Sequence, residues 1–471
     1  MVPKMPKYSA EEWKQKYEQD LLTKPKLVVI KQQNQRIFWA YNDTTKDTYQ
    51  VVAVLRNDST QHARVWVELS INNSVNQNTV DYWAREFSEV IYERLTNAFG
   101  NPPNVDNDTK INILILDIPG PRTAGYFWPA QEEAYDRTEI IYIDYVIGNP
   151  DVIAHEFAHM IHYNYDHTTI IPPNLAEEDW VDEGIADYAI WVVYNHHETA
   201  GHRDAFINNP DTSLTSDFVG DLSDLPKYGA AYLFFLYLSE KYGGTQLIRN
   251  ILQDKANGIE GIENHLPGVT FEDVFKNWTI ANYLDGPTQN DDPSNPLWRY
   301  DSLDIQVRLE DQLDYPSDIN RTKSYSNSVN IWAADYIEIT PETTVKGDVE
   351  IRFDGEDGWI LVHIPGSPYV VPIYIHSDYI IRFILFNDTY PDGLVVDFVD
   401  DHKNNTVIPN IGDYDRIVFV VSSTNHMLGG DGSYTLIMRD AKDLDVVLDI
   451  DRSGSMSWEG KMDKAKRAAK L

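Results

Sequence analysis

The chain has 471 residues, of which 42% are hydrophobic and 12% aromatic, and at roughly 150 residues per domain this predicts about three folded domains rather than a disordered chain. Its 74 acidic and 39 basic residues give a net charge of −35 at pH 7, which disfavours binding to nucleic acid or to anionic membrane surfaces. The absence of cysteine excludes disulfides, thiol catalysis and thiolate metal ligands. No apolar run approaches the roughly 18 residues of a membrane span, so no membrane insertion is expected.

The first part of the chain predicts a leader followed by a mixed set of strands and helices. Residues 1–26 are polar and proline-punctuated, and they are interpreted as a leader or short helix. In residues 27–75, runs such as RIFWA and ARVWVEL alternate apolar and polar side chains, which predicts a small sheet. Val80–Phe99 has helical spacing. Ile111–Leu116 and Glu139–Tyr145 are expected strands on either side of AGYFWPAQ.

The next segment, DVIAHEFAHMIHY, carries the pattern on which the functional hypothesis depends. A helix over 150–164 is predicted, with Asn149 as its N-cap. His155 and His159 stand four residues apart and therefore point the same way one turn apart, with Glu156 beside them. This spacing is typical of a zinc site with its general base. Two histidines and one carboxylate would leave the fourth position of the metal open for water.

The third ligand must come from outside this helix. His162 shares a face with His155, but seven residues of helix separate them by roughly 10 Å, too far for one zinc ion. A second predicted helix contains WVDEGIADY, in which Glu183 can ligate the metal while Asp187 accepts the other N–H of a ligating histidine. Gly184 is expected to let the two zinc-binding helices approach closely.

HEFAH followed by WVDEGIADY resembles the gluzincin clan of zinc metallopeptidases, and most closely the hyicolysin-like and immune-inhibitor-like secreted endopeptidases. The longer metzincin pattern does not fit. The resemblance implies that His155, His159 and Glu183 bind one Zn²⁺, that Glu156 is the general base, and that Asp187 supports a ligand from behind. It also implies an extracellular or cell-surface location, with a cytoplasmic one less favoured.

The same resemblance implies an α+β fold. A zincin-like catalytic domain is expected over 27–310, β-rich in its upper part and helical in its lower part over 175–285. In such a fold the strand nearest the cleft binds extended substrate by strand addition. Gly125, Tyr126 and Phe127 are the candidates for that strand, although they could equally be ordinary core residues. The aminopeptidase segment G-x-M-E-N is absent here, which favours internal cleavage over trimming.

A third apolar helix, in PKYGAAYLFFLYLSEKYGG, is similar to the family's tyrosine-bearing helix in character but not in register. The family tyrosine lies three residues before the glycine, whereas Tyr228 lies one before Gly229. Such a tyrosine would donate a hydrogen bond to the developing oxyanion. Tyr228 is the first candidate and Tyr232 the alternative, with core packing as the other interpretation. His202 and His265 are further alternatives that the sequence does not rank.

The later part of the chain changes to a period of two. The stretch 286–300 is rich in Pro, Asn and Asp and could hold Ca²⁺ through its carboxylates, although it lacks a calcium-loop motif and a solvated turn fits better. Residues 311–327 are interpreted as a linker. The short alternating strands of 328–440 predict an all-β sandwich domain.

The final segment, 441–471, resembles the truncated start of a von Willebrand factor type A domain. In that family the residues at Asp451, Ser453 and Ser455 help to hold Mg²⁺. The remainder of such a domain is missing, so Mg²⁺ binding is expected only in a longer protein. A complete C-terminal domain could bind a protein partner.

Two functions from different classes follow. The first is a zinc-dependent endopeptidase acting on protein or peptide substrates. The alternative is a catalytically silent adhesion or scaffold protein in which a peptidase-like fold presents the C-terminal modules. N-glycosylation sequons, compatible with an exported glycoprotein, occur at Asn42, Asn57, Asn72, Asn107, Asn277, Asn320, Asn387 and Asn404.

Overall fold

A computed structural model provides the structure of the chain. It describes residues 10–24, 34–42, 44–120, 123–129, 134–166, 177–197, 201–266, 268–286, 295–315, 322–342, 345, 347–363, 370–400, 402–425 and 431–441. Within these ranges the chain is a mixture of helices and several sheets, as the predicted α+β class requires. The predicted Mg²⁺ ligands Asp451, Ser453 and Ser455 lie outside the described residues, as do 287–294 of the stretch considered for Ca²⁺.

The N-terminal sheet has six strands in the order β1-β2-β3-β4-β6-β5. Strands β3, β4 and β6 run parallel, whereas β1 and β2 form an antiparallel hairpin and β5 pairs antiparallel with β6 at the edge. The strands are β1 Gln35–Asn42, β2 Asp47–Asn57, β3 Ala63–Glu68, β4 Ile111–Leu116, β5 Gly125–Phe127 and β6 Ile140–Asp144.

Both faces of this sheet are buried. Alternate residues of each strand point to opposite sides, and each side is covered by a separate core. Val65 and Ile113 pack with the helices on one face, whereas Trp66 and Leu114 enter a second core on the other. Helix α1, Ala10–Thr23, covers that second core and buries Trp13 there. Part of the predicted leader is therefore a packed helix.

The remaining helices lie mostly on the first face of the sheet and below it. They are α2 Gln77–Glu86, α3 Tyr92–Phe99, α4 Pro150–Asp166, α5 Asp179–Tyr194, α6 His202–Ile207, α7 Leu225–Leu238, α8 Gly244–Leu252, α9 Gly258–Glu263 and α10 Phe271–Leu284. Helix α4 begins as expected, since Asn149 Oδ1 accepts the backbone N–H of Asp151 at 2.9 Å. No helix among the described residues is long and apolar enough to cross a membrane.

Gly184 does not have the predicted role. A Cβ at this position would lie 2.6 Å from Cδ2 of Phe235 and 2.9 Å from Cβ of Ala231, both on α7. The missing side chain therefore allows α5 to approach α7, not the histidine-bearing helix α4. The error arose because the sequence identifies a close approach but does not identify the partner helix.

The C-terminal strands form two main sheets, ordered β15-β10-β17-β8 and β14-β13-β16, with β7 and β9 paired in parallel and β11 and β12 as a hairpin. The strands are β7 Asp311–Tyr315, β8 Lys323–Asn330, β9 Ala333–Pro341, β10 Val349–Gly355, β11 Asp357–His363, β12 Val370–His376, β13 Asp378–Asn387, β14 Tyr390–Asp400, β15 Lys403–Ile408, β16 Arg416–Asn425 and β17 Asp431–Asp440. One hydrophobic core draws residues from both main sheets. The segment interpreted as a linker contributes strand β7.

This β region also contributes to the first core, in which the helices pack on the N-terminal sheet. Ile384 and Val418 belong to the same buried cluster as residues of α10. Tyr336 donates its hydroxyl to the Thr279 carbonyl at 2.7 Å, and Arg382 donates to the Lys276 carbonyl at 3.0 Å. The predicted boundary near 311–327 is therefore spanned by continuous packing.

Candidate metal centre

Helices α4 and α5 bring three metal-binding side chains to one point. Nε2 of His155 lies 3.1 Å from Nε2 of His159 and 3.2 Å from Oε2 of Glu183. Nε2 of His159 lies 3.4 Å from the same carboxylate oxygen. Ligands about 2.1 Å from one tetrahedral ion are separated by about 3.4 Å. These distances fit a single zinc ion with a fourth position left open.

Two aspartates lie behind the imidazole rings. Asp187 Oδ1 lies 2.9 Å from Nδ1 of His155, and Asp182 Oδ2 lies 3.0 Å from Nδ1 of His159. A neutral imidazole that donates from Nδ1 carries a lone pair on Nε2. Two lone pairs and a carboxylate directed at the same point repel one another, so this donor set favours a positive charge between its members, either a metal ion or protons on the rings.

The electrostatics of the site also favour a cation. Burial by itself lowers the pKa of His155, but hydrogen bonds to Asp187 and Glu183 outweigh it and raise the pKa to about 9. Burial by itself raises the pKa of Glu183, but the neighbouring His159 and His155 outweigh it and lower that pKa. Without metal the site attracts protons, and a divalent ion would take their place.

Glu156 is buried beside the three donor atoms. Burial raises the pKa of its carboxyl group, although the neighbouring histidines partly oppose this effect. Its carboxylate accepts the backbone N–H of Phe127, while its Oε2 has no hydrogen-bond partner within the described part of the chain. An oxygen in that state is available to accept a proton.

Strand β5 contains the three residues considered for substrate binding. A Cβ on Gly125 would lie 2.6 Å from Cγ1 of Val152, so β5 packs tightly on the first turn of α4. The Tyr126 ring points into the opposite core, where it stacks on Tyr142 at 4.4 Å. Any substrate contact at Tyr126 would therefore use its backbone and not its ring. Phe127 links the strand to Glu156.

A second histidine shares the carboxylate of Asp187. Nδ1 of His202 lies 2.7 Å from Asp187 Oδ2, and the His202 ring stacks on Tyr228 at 4.5 Å. A Cβ at Gly229 would lie 2.1 Å from the His202 carbonyl oxygen, which explains why glycine follows the tyrosine directly. Tyr232 is fully buried in the helical core.

Two residues, His265 and Asp182, have contacts that the sequence did not predict. His265 pairs with Asp254 at 2.7 Å, on the connection between α8 and α9. Asp182 was overlooked, although its other oxygen lies 2.7 Å from Nδ1 of His162. The available signal was the pattern HxxH on one helix with two adjacent acids, Asp182 and Glu183, on the next.

Two histidines and a glutamate on an α+β scaffold form the donor set of an open metal centre. No family model matches the chain. Its sequence is 28% identical over 289 residues to the neutral metalloprotease ShpI of Staphylococcus hyicus, a match that covers 52% of this chain and 62% of that protein. The chain thus spans less than two thirds of this relative. The likeness supports a metallopeptidase family with a metal cofactor.

Proposed function

We propose that the chain is a zinc-dependent endopeptidase that cleaves internal bonds of proteins or peptides. The observation that carries this proposal is the convergence of His155 Nε2, His159 Nε2 and Glu183 Oε2 within 3.4 Å of one another. The likeness to a neutral metalloprotease supports the same reaction class.

Zinc, when bound, would polarise the scissile carbonyl and lower the pKa of a water molecule at the site. His155, His159 and Glu183 would hold the ion, and Asp187 would keep Nε2 of His155 unprotonated. Glu156 would accept the proton of the attacking water at Oε2 and return it to the departing nitrogen. Burial raises the pKa of its carboxyl group, which favours the return of the proton to the departing nitrogen.

The oxyanion that develops on the scissile carbonyl needs a hydrogen-bond donor. Tyr228 remains the first candidate, because its ring stacks on His202, which in turn contacts Asp187. His202 is the second candidate for the same reason. Tyr232 is the less favoured alternative, since it is 0% exposed, although Tyr228 is itself only 3% exposed.

Internal cleavage is favoured by the position of β5. Within the described residues its one strand partner is β6, so the other edge can accept an extended peptide as an added strand. The backbone of Gly125–Phe127 would then align the scissile bond beside Glu156. An extracellular or cell-surface location is part of this proposal.

The test combines zinc analysis with cleavage of casein and of a peptide blocked at both ends. The wild-type chain should bind zinc and cut the blocked peptide internally. Glu156→Gln should keep zinc and lose activity by about 10²–10⁴-fold, because only the proton acceptor is removed. Glu183→Gln should lose zinc as well.

Undiminished cleavage by Glu156→Gln would contradict the assigned base, and retention of zinc by Glu183→Gln would contradict the ligand set. A wild-type chain that binds zinc but cleaves neither substrate would favour the adhesion or scaffold alternative.

A further inference from the structure

A second buried cluster of metal-binding side chains lies where α4 ends and α5 begins. His162 and Asp166 face the same side of the last turns of α4, and Glu177 lies two residues before the start of α5. Both α4 side chains are 3% exposed and Glu177 is 9% exposed. Each residue offers one potential ligand atom, and these three atoms lie within 4.8 Å of one another.

Two of these donor atoms lack a partner. Neither Nε2 of His162 nor Oδ1 of Asp166 has a hydrogen bond to any described residue, although both atoms are buried. His162 donates through Nδ1 to Asp182 at 2.7 Å, which leaves a lone pair on Nε2. Leaving a buried polar atom unpaired costs about 1–3 kcal/mol, so two such atoms in one cluster require an explanation.

Protonation of His162 does not explain the cluster. It would place an N–H at Nε2, but no oxygen lies within hydrogen-bonding reach of that atom among the described residues. Glu177 already uses Oε1 to accept the backbone N–H groups of Gly258 and Glu178, at 2.8 Å and 2.7 Å. The carboxylates therefore have backbone support, whereas Oδ1 of Asp166 has no hydrogen bond among the described residues, although the charges of His162 and Lys255 act on this residue.

We propose that His162, Asp166 and Glu177 form a second metal site that binds a divalent transition-metal ion, with zinc as the first candidate. An imidazole nitrogen combined with carboxylate oxygens favours such ions over Ca²⁺ or Mg²⁺, which prefer all-oxygen ligands. Ligands about 2.1 Å from one ion lie at most about 4.2 Å apart, so small side-chain rotations would close the site.

The role of this ion is structural. It joins the end of α4, which carries His155 and His159, to the residue that leads into α5, which carries Glu183. Asp182 connects the two sites, since its carboxylate contacts Nδ1 of both His159 and His162. The second ion would thus fix the relative position of the two helices that supply the first site.

The test measures zinc per chain in the whole protein after dialysis against metal-free buffer. The wild type should hold about two ions, and Asp166→Asn and Glu177→Gln should each hold about one, because each loses an anionic ligand. His265→Gln is the matched control: it removes a histidine that also pairs with an aspartate, and it should keep both ions. A wild-type chain with a single ion that is lost in Glu183→Gln would overturn the second site and leave the first intact. Unchanged metal content in both Asp166→Asn and Glu177→Gln would overturn it too.

If these variants fail to fold, anomalous scattering at the zinc edge from wild-type crystals gives the answer directly. A peak between His162 Nε2 and Asp166 Oδ1, separate from any peak at His155, is expected. A crystal with a peak at His155 alone would refute the proposal.

Discussion

Replacement of Asp187 tests whether a residue without metal contact controls the affinity of the candidate metal centre. Its buried carboxylate contacts two histidines: Oδ1 lies 2.9 Å from Nδ1 of His155, and Oδ2 lies 2.7 Å from Nδ1 of His202. An asparagine keeps one accepting oxygen, but its amide nitrogen cannot accept the second N–H, and the negative charge is lost. Alanine removes both acceptors.

Loss of such a partner typically weakens metal binding by about 10–100-fold, or about 1.4–2.8 kcal/mol. Because Asp187→Asn keeps one acceptor, it should fall near the lower value and Asp187→Ala near the upper one. The assay is a zinc competition titration against a fluorescent chelator, with circular dichroism to verify folding. Asp254→Asn is the control, because Asp254 also pairs with a histidine, at 2.7 Å, outside the centre.

A zinc affinity within about twofold of wild type for both Asp187 variants, in folded protein, would refute the role of Asp187 in orienting His155. An equal loss in Asp254→Asn would show that the effect is general and not specific to the site. Activity at saturating zinc should recover largely in Asp187→Asn, because its ligands are intact.

Three further outcomes are expected. Gly184→Val should lower the free energy of unfolding by about 1–3 kcal/mol in urea titrations, because even a Cβ there would lie 2.6 Å from the Phe235 ring. Burial raises the pKa of Asp335 from 3.8 to about 8. Between these two pH values the folded state holds a proton that the unfolded chain releases, so the free energy of unfolding falls as the pH rises. Asp335→Asn should reduce that slope and gain stability relative to wild type towards the upper pH, and an unchanged slope would contradict the prediction. Tyr228→Phe should lower kcat by about 10²–10³-fold with zinc content unchanged, whereas Tyr232→Phe should not; the reverse result would exchange their roles.

The pair His155 and His159 was accessible from sequence because residues four apart share a face in any α-helix. Glu183 was accessible only through its resemblance to a known motif and its place on the next predicted helix. In the structure its Oε2 lies 3.2 Å and 3.4 Å from the two Nε2 atoms. Asp182 was missed, because the HxxH pattern and the two adjacent acids suggest proximity but not which ring each acid contacts, and ring orientation depends on tertiary packing.

The long-range packing of the fold was likewise not predictable from the sequence. Alternation and turn residues predicted the strands well, since local periodicity determines which face each side chain occupies. Periodicity says nothing about which buried faces meet. The burial of Trp13 against the N-terminal sheet and the contact of Tyr336 with α10 both depend on long-range packing. A leader or short helix was predicted where α1 packs on the sheet, and a linker was predicted where the chain forms strand β7.

Three of the four acids of helix α5 have contacts that follow from their positions on the helix. Asp182 and Glu183 lie in or near the first turn, where the helix dipole stabilises negative charge, and Asp187 follows one turn after Glu183. Glu183 faces the two Nε2 atoms, whereas Asp182 and Asp187 reach Nδ1 of different rings. Because both oxygens of Asp182 are engaged, a rotation of its carboxylate towards His162 would withdraw it from His159. A change in the second cluster would therefore reach His159 through a carboxylate that contacts a histidine of each group.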